Sequence, residues 1–457
     1  MRGFRHQHTS DLSASLTCST MSFDFERLES QIGFQQSLPL ISNENEQDLD
    51  SSVKILLMKL LVKGLLSGDN FDGVISLGQE LLNQAPRSIY LHYALGTAFS
   101  KIGDNEKAAY HCNLFLEIDP ITEDAPFKNE NLATVHNNLA VCLKNRGLLE
   151  QSESHFKSAL ECDDNFAAAH NNYGNLLNDR ADIVSARKCF LRAIEINPDD
   201  HIAYWNLHST AGSIEEAELI IEACIERSKS DEMAVFTLAG LRAFSGDRSG
   251  LDELKSFGFA SEPLIRSVDW VLGLPELPKI HFNRWAVFDE AIALADRTRA
   301  FYEFGVWMGD SFRYLVPHFS VGLGFDSFKG LPEDWGVVPK GTYSSLGVVP
   351  NIANSNFIVG EFAETLPSYF LEKRPKAGLI NFDADLYSST ICALRNARNV
   401  IDPRTVLVFD EFLVNNDWEK DELKALEEFC AEFGFSYKVE AVSLFTKQMA
   451  CRLLPLA

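Results

Sequence analysis

Two apolar runs near the C-terminus each end in carboxylates. Leu379-Ile380-Asn381-Phe382 leads into Asp383-Ala384-Asp385, and Val406-Leu407-Val408-Phe409 leads into Asp410-Glu411. Laid side by side in a parallel sheet, the runs bring four carboxyl groups to one sheet edge. Carboxylates held that close raise each other's pKa. A divalent cation relieves the repulsion, and hard oxygen donors suit Mg²⁺ or Ca²⁺. The same residues have a plainer use, because an Asp after a parallel strand also caps the next helix.

A second group of residues belongs with them. The run Phe301-Tyr302-Glu303-Phe304 enters Gly305-Val306-Trp307-Met308-Gly309, a strand-to-helix turn holding Glu303, Gly305 and Gly309. Glycines there let a ligand approach the backbone. Neither a dinucleotide fingerprint nor a phosphate loop is present. The acid ahead of the glycines suits a ligand with a positive amino group. Asp326 ends the next apolar run, where an acid can accept both hydroxyls of a ribose.

These residues need a sheet to gather them. From about residue 280 to 457 short apolar runs alternate with helical patterns, the signature of a doubly wound α/β sheet. Strands are predicted near 299–304, 321–326, 356–360, 378–382 and 405–409, closed by an antiparallel hairpin at 435–443 and 447–454. Ahead of this domain, residues 52–245 repeat. One unit has Gly96, Gly103, Ala108, Phe115 and Pro120; the next has Ala140, Gly147, Ser152, Phe156 and Ala159; the third has Gly174, Ala181, Ala186, Phe190, Ala193 and Pro198. The last two are 34 residues apart, the first two 44, with an insertion around Ile121–Asn131. Small residues sit where paired helices approach, and the aromatic plugs the gap to the next hairpin. The spacing resembles the tetratricopeptide repeat, with weaker units flanking at 55–86 and 201–230. Such a solenoid either packs and self-associates or offers a groove, and Asn137, Asn138, Asn171 and Asn172 on the first helices could hold an extended peptide. Residues 1–50 are polar and Ser-rich and read as a disordered leader, with Phe34 and Leu38–Ile41 able to dock on the next domain. Residues 246–279, with Pro263, Pro275 and Pro278, read as a linker.

The bulk properties narrow the partners. A net charge of −24 over 457 residues argues against nucleic acid and against an anionic membrane surface. Nine scattered cysteines without paired spacing point to a reducing compartment and no zinc site. No apolar run is long enough for a membrane span and no secretory signal is evident, so a cytoplasmic location is expected.

In order along the chain come Glu303-Phe-Gly-Val-Trp307, Phe325-Asp-Ser-Phe-Lys-Gly-Leu-Pro332, Gly360-Glu-Phe-Ala-Glu-Thr-Leu-Pro367, Asp383-Ala-Asp-Leu-Tyr-Ser-Ser-Thr390 and Phe409-Asp-Glu-Phe412. Over about 285–450 this resembles the macrocin O-methyltransferase family of class I S-adenosylmethionine-dependent methyltransferases. The resemblance implies a Rossmann-like fold in which Glu303 and Gly305 line the methionine end of the cofactor, with Gly309 also among the cofactor-binding residues. Asp326, with Ser327 beside it, would hold the ribose, and Gly360, Glu361 and Phe362 would sit at the adenine. It implies Mg²⁺ on Asp383, Asp410 and Glu411, with Asp385 as general base. Glu411 stands where the family has Asp, and Arg404-Thr405 replace the usual pair of glycines.

Methyl transfer to a hydroxyl needs the acceptor aligned and its proton removed. A metal and a nearby base supply this, so O-methylation of a sugar or related small molecule is the expected reaction. Two alternatives remain: a scaffold with an inactive methyltransferase domain, or a methyltransferase acting on a protein or protein-linked glycan presented by the repeats. The Gly- and aromatic-rich stretch Leu331–Pro350 suggests a lid. Trp335 and Trp418 are candidates to stack on a sugar ring. Tyr387 and Thr390 are expected to orient the loop or pack on it. Glu422 reads as a solvated helix residue or a support for the acids, and His318 and Lys329 carry no constellation.

Overall fold

The computed structural model describes residues 63–456, apart from Leu65, Gln84, residues 120–124 and Lys229. The leader at 1–50 and its docking residues lie outside the described residues. The chain divides into two compact units with the boundary between Cys162 and Asp163.

The first unit is helical: α1 (Phe71–Leu82), α2 (Ile89–Lys101), α3 (Asn105–Glu117), α4 (Ala125–Asn145) and α5 (Leu149–Cys162). α2 pairs with α3 and α4 with α5. Phe115 and Phe156 are fully buried, as the repeat pattern requires of its plugs. The insertion before the second repeat lengthens α4 to 21 residues.

The second unit opens with α6 (Ala167–Asp179) and α7 (Ile183–Ile196), the third repeat. Here Gly174 lies against Phe190, where a methyl group would come within 2.5 Å of the ring. The pair α8 (His201–His208) and α9 (Ile214–Arg227) follows, where a weaker unit was expected, and then α10 (Glu232–Phe244). The expected peptide-binding asparagines are mostly used internally. Asn137, Asn138 and Asn171 are buried. Asn138 donates to Thr97 at 3.3 Å, and Asn171 accepts from Asn206 at 2.9 Å, so these amides bridge neighbouring helices.

Residues 246–279 are not an open linker. They form α11 (Ser249–Ser256) and α12 (Pro263–Leu272). Pro263 is the first helical residue, where a missing N–H costs nothing. Leu264, Ile265, Val268 and Val271 recur on one helix face and are buried in a core shared with the sheet.

The sheet follows, with β1 (Lys279–Ile280), α13 (Arg284–Leu294), β2 (Ala300–Phe304), α14 (Asp310–Leu315), β3 (Gly322–Asp326), β4 (Ser355–Val359), α15 (Phe362–Tyr369), β5 (Ala377–Phe382), α16 (Tyr387–Ala397), β6 (Val406–Phe409), α17 (Glu422–Phe433), β7 (Phe435–Val442) and β8 (Met449–Pro455). Strand order is β1-β7-β8-β6-β5-β2-β3-β4. β2 to β6 run parallel, and β8 lies antiparallel between β6 and β7. The five central strands and the closing hairpin fall within two residues of the positions predicted from sequence; the two-residue β1 was not anticipated.

Every residue of β2, β5 and β6 is buried, as continuous apolar runs in a doubly covered parallel sheet should be. Alternate residues feed two cores. Tyr302, Phe304, Ile380, Phe382 and Phe409 pack on one face, and Phe301, Leu379 and Val408 on the face under α13 and α14. The chain order reverses between β2 and β5, so a crevice opens beyond their C-terminal ends.

Candidate functional site

A cavity of about 470 Å³ lies at that crevice, of a size suited to a small-molecule ligand. The strand register builds it. Phe304 pairs with Phe382, and Phe382 with Phe409, so the three strands end level. Asp383 N donates to Phe304 O at 2.8 Å and Asp410 N to Phe382 O at 3.0 Å, carrying the alignment one residue past each strand. The acids that were 25 or more positions apart in sequence thereby share a cavity wall: Asp383, Asp385, Asp410 and Glu411 all line it.

The turn after β2 crosses directly over this corner. Gly305 has φ +89°, and a Cβ there would sit 1.7 Å from the Asp383 carbonyl oxygen, so only glycine fits. Asp326 braces the same turn. Its Oδ2 accepts from the Val306 and Trp307 amides, each at 2.7 Å, and its Oδ1 from the Phe328 amide at 2.6 Å. Gly305, Asp326 and Ser327 line the cavity, as do Gly360, Glu361 and Phe362. Glu303 and Gly309 do not. Gly309 caps α14 in left-handed conformation. Glu303 is fully buried beneath the turn, opposite Asn381 in strand register.

Glu303 is an unusual group. Its Oε1 accepts from Asn381 Nδ2 at 2.7 Å, while its Oε2 has no hydrogen-bond partner. Burial pushes this carboxyl up to about 8, against the pull of Ser311 and Asn381. The folded state therefore holds a proton that the unfolded chain releases near pH 4–5. Stability from this group is present at low pH and lost as pH rises from about 5 through about 8, at up to about 1.4 kcal/mol per unit. Glu303→Gln should flatten the pH dependence of the denaturation midpoint between pH 5 and 9, and an unchanged slope would contradict the assignment.

The acid corner carries more negative charge than its partners cancel. Arg284, the first residue of α13, reaches Asp410 Oδ2 at 3.1 Å, and Gln448 donates to Asp410 Oδ1 at 2.7 Å. Lys447 Nζ is 2.7 Å from Glu411 Oε2. Burial, then Asp410 and Asp385, hold the Asp383 carboxyl well above the usual range. Burial, then Glu411 and Asp410, push Asp385 up to about 7. Asp385 also sits at φ +57°, a conformation Asp tolerates better than most residues. Glu422 is fully buried at the start of α17, rather than solvated, and accepts from the Glu411 amide at 3.2 Å. Its carboxyl is raised far above normal by burial and then by Asp385.

The donor set suits a cation by charge and by its hard oxygens. Its ligating geometry is not assembled: among the described residues no group of three or more His, Cys, Asp or Glu side chains is arranged to hold a metal ion. For an ammonium- and sulfonium-bearing cofactor the fit rests on the same excess of carboxylates in the cavity lining.

The aromatics near the cavity are not those expected. Trp418 is buried against Trp270. Trp335 Nε1 donates to Asp421 at 3.2 Å and does not line the cavity. Trp307 and Tyr343 do line it, edge to face at 6.2 Å and both well exposed. Tyr387 OH donates to Glu428 Oε2 at 2.6 Å, and Tyr387 does not line the cavity. Leu331–Pro350 has no helix or strand, and Leu331, Pro332 and Tyr343 bring it to the cavity rim. Arg284, Lys447 and Gln448 escaped sequence reasoning because nothing local marks a residue that acts across 36 to 126 positions.

Comparisons with known proteins return one family model and a set of solved structures. A family model described as tetratricopeptide repeat matches residues 167–200. No curated protein matches the chain significantly. Among solved structures, PilW, titled a widely conserved type IV pilus biogenesis factor, is 17% identical, with 48% of this chain and 99% of that one covered and a TM-score of 0.39. A thermophilic TPR protein of Thermus thermophilus is 18% identical, with 41% and 98% covered and a TM-score of 0.33. The O-methyltransferase NovP is 16% identical, with 39% and 81% covered and a TM-score of 0.29. Among the described residues no helix is long and apolar enough to cross a membrane. The chain joins tetratricopeptide-like repeats to a doubly wound, Rossmann-like sheet.

Proposed function

We propose that the protein transfers a methyl group from S-adenosylmethionine to a hydroxyl of a sugar or related small molecule, with a divalent ion at the acid corner, as a relative of the macrocin O-methyltransferases. One observation carries this reading: the glycine turn after β2 and the acid pairs after β5 and β6 open into a single cavity at the point where strand order reverses. When bound, the cofactor supplies an electrophilic methyl group, and a divalent ion, once the carboxylates closed on it, would lower the pKa of the acceptor hydroxyl.

The chain's own residues do the rest. The Gly305–Trp307 turn, braced by Asp326, forms the wall for the methionine and ribose parts, and Gly360, Glu361 and Phe362 form the adenine end. Asp383, Asp410 and Glu411 would hold the ion, with Arg284 and Gln448 fixing how Asp410 is turned. Asp385 takes the acceptor's proton as the O–CH₃ bond forms and the S–CH₃ bond breaks, leaving S-adenosylhomocysteine.

A second reading has its own support. Arg284 and Lys447 already neutralise Asp410 and Glu411, as they would in a domain kept for scaffolding after activity was lost. Calorimetry separates the two. The enzyme reading expects one S-adenosylmethionine per chain, with micromolar affinity, and cofactor consumption on a panel of hydroxyl acceptors that falls at least tenfold with chelator. No binding favours the scaffold.

A further inference from the structure

The cavity is lined by eight carboxylates: the four of the acid corner and Asp310, Asp326, Glu333 and Glu361 from the other walls. Among the described residues Arg284 is the one basic side chain in the lining, and it is engaged with Asp410. Lys447 pairs with Glu411 and Arg313 with Asp310. Among the described residues no ion pair reaches the other five, Asp326, Glu333, Glu361, Asp383 and Asp385. Asp326, Glu333 and Glu361, on the walls away from the acid corner, already outnumber the single net positive charge of S-adenosylmethionine, which leaves a negative field facing the acceptor. A cleft lined by one sign of charge concentrates ligands of the opposite sign and repels its own.

The rim adds an independent feature. Trp307 and Tyr343 both line the cavity, 38% and 48% exposed. Their rings meet edge to face, so a π-face of at least one remains open to a ligand. Exposed aromatic faces beside carboxylates are how proteins hold an ammonium group.

We infer that the acceptor is a cationic hydroxyl compound, a polyol bearing a protonated amine, seated with its amine between the Trp307/Tyr343 rim and Glu333. Phosphorylated and nucleotide-linked sugars are excluded by the same field. The inference rests on the methyltransferase reading and narrows its substrate class.

The test is binding to full-length protein loaded with S-adenosylhomocysteine, followed by saturation-transfer NMR. The probes are glucosamine, N-acetylglucosamine, which loses the amine's charge, and glucosamine 6-phosphate, which gains an anion. Glucosamine should bind at least tenfold more tightly than either, and the advantage should shrink as NaCl rises from about 0.05 to 0.5 M. Glu333→Gln should narrow it severalfold. Equal binding of the acetylated or phosphorylated sugar, or no binding of glucosamine, overturns the inference. Failure of S-adenosylhomocysteine to bind at all, read by calorimetry beforehand, overturns instead the methyltransferase reading on which it rests.

Discussion

Asp383→Asn is expected to abolish methyl transfer, with kcat reduced about a thousandfold or more, while S-adenosylhomocysteine still binds within a few-fold of normal. The cofactor wall is built from the turn after β2 and from Gly360–Phe362, and its hydrogen bonds do not pass through the Asp383 side chain. The acid corner does. Asp383 lies between Asp410 and Asp385, and its carboxyl is held above the normal range by burial and by both neighbours. A carboxyl raised in the folded state costs stability as pH rises above its unfolded value. Asparagine keeps the shape and removes that cost. With chelator present, Asp383→Asn should therefore melt higher than the native chain, with the larger gain at pH 8 than at pH 5. Loss of turnover together with a gain in stability is what a functional acid in an unfavourable place produces. If turnover and S-adenosylhomocysteine affinity fell by the same factor in a folded variant, Asp383 would belong to the cofactor wall instead.

The sheet was legible because its central strands are buried on both faces. Such strands are short and apolar throughout, and Phe301–Phe304, Leu379–Phe382 and Val406–Phe409 are bounded by glycines and acids that end them. The acids at their ends were legible for the same reason, since parallel strands in register deliver their C-terminal neighbours to one edge. Glu303 was harder. Its position after apolar residues marks it as near the turn, but strand alternation sends it to the face under α13 and α14 with Asn381, below the cavity and not into it. The prolines at 263, 275 and 278 suggested a linker. Only the spacing of Leu264, Ile265, Val268 and Val271 distinguishes an amphipathic helix whose proline sits at its first position. Arg284, Lys447 and Gln448 had no local signal at all, because each meets its acid only after the sheet has formed. Tryptophans chosen as sugar platforms failed for a related reason. Type alone does not separate Trp418, buried against Trp270, from Trp307, held at the rim by backbone bonds to Asp326.

Gly305→Ala should be among the most damaging single-methyl changes available in this protein. The added carbon would meet the Asp383 carbonyl oxygen at 1.7 Å and its carbon at 2.5 Å, both backbone atoms. Neither partner can move aside cheaply. Gly305 N donates to Phe325 O at 2.9 Å, and Asp383 N to Phe304 O at 2.8 Å, so each loop is pinned to the strand beside the one that leads into it. The left-handed backbone at φ +89° adds a further penalty for any residue with a side chain. The combined cost should be several kcal/mol, read as a shift in the denaturant midpoint. S-adenosylhomocysteine binding should be lost in any fraction that still folds, because displacing Asp383 also displaces the turn that Asp326 braces. Gly336→Ala is the control. It too has positive φ, +57°, but a methyl group there meets nothing within 4 Å. Its cost should stay near about 1 kcal/mol, from backbone preference alone. If Gly305→Ala were no more harmful than Gly336→Ala, the crossing of the two loops would not be what holds the acids beside the cofactor wall, and the register of β2, β5 and β6 would be insufficient to place them.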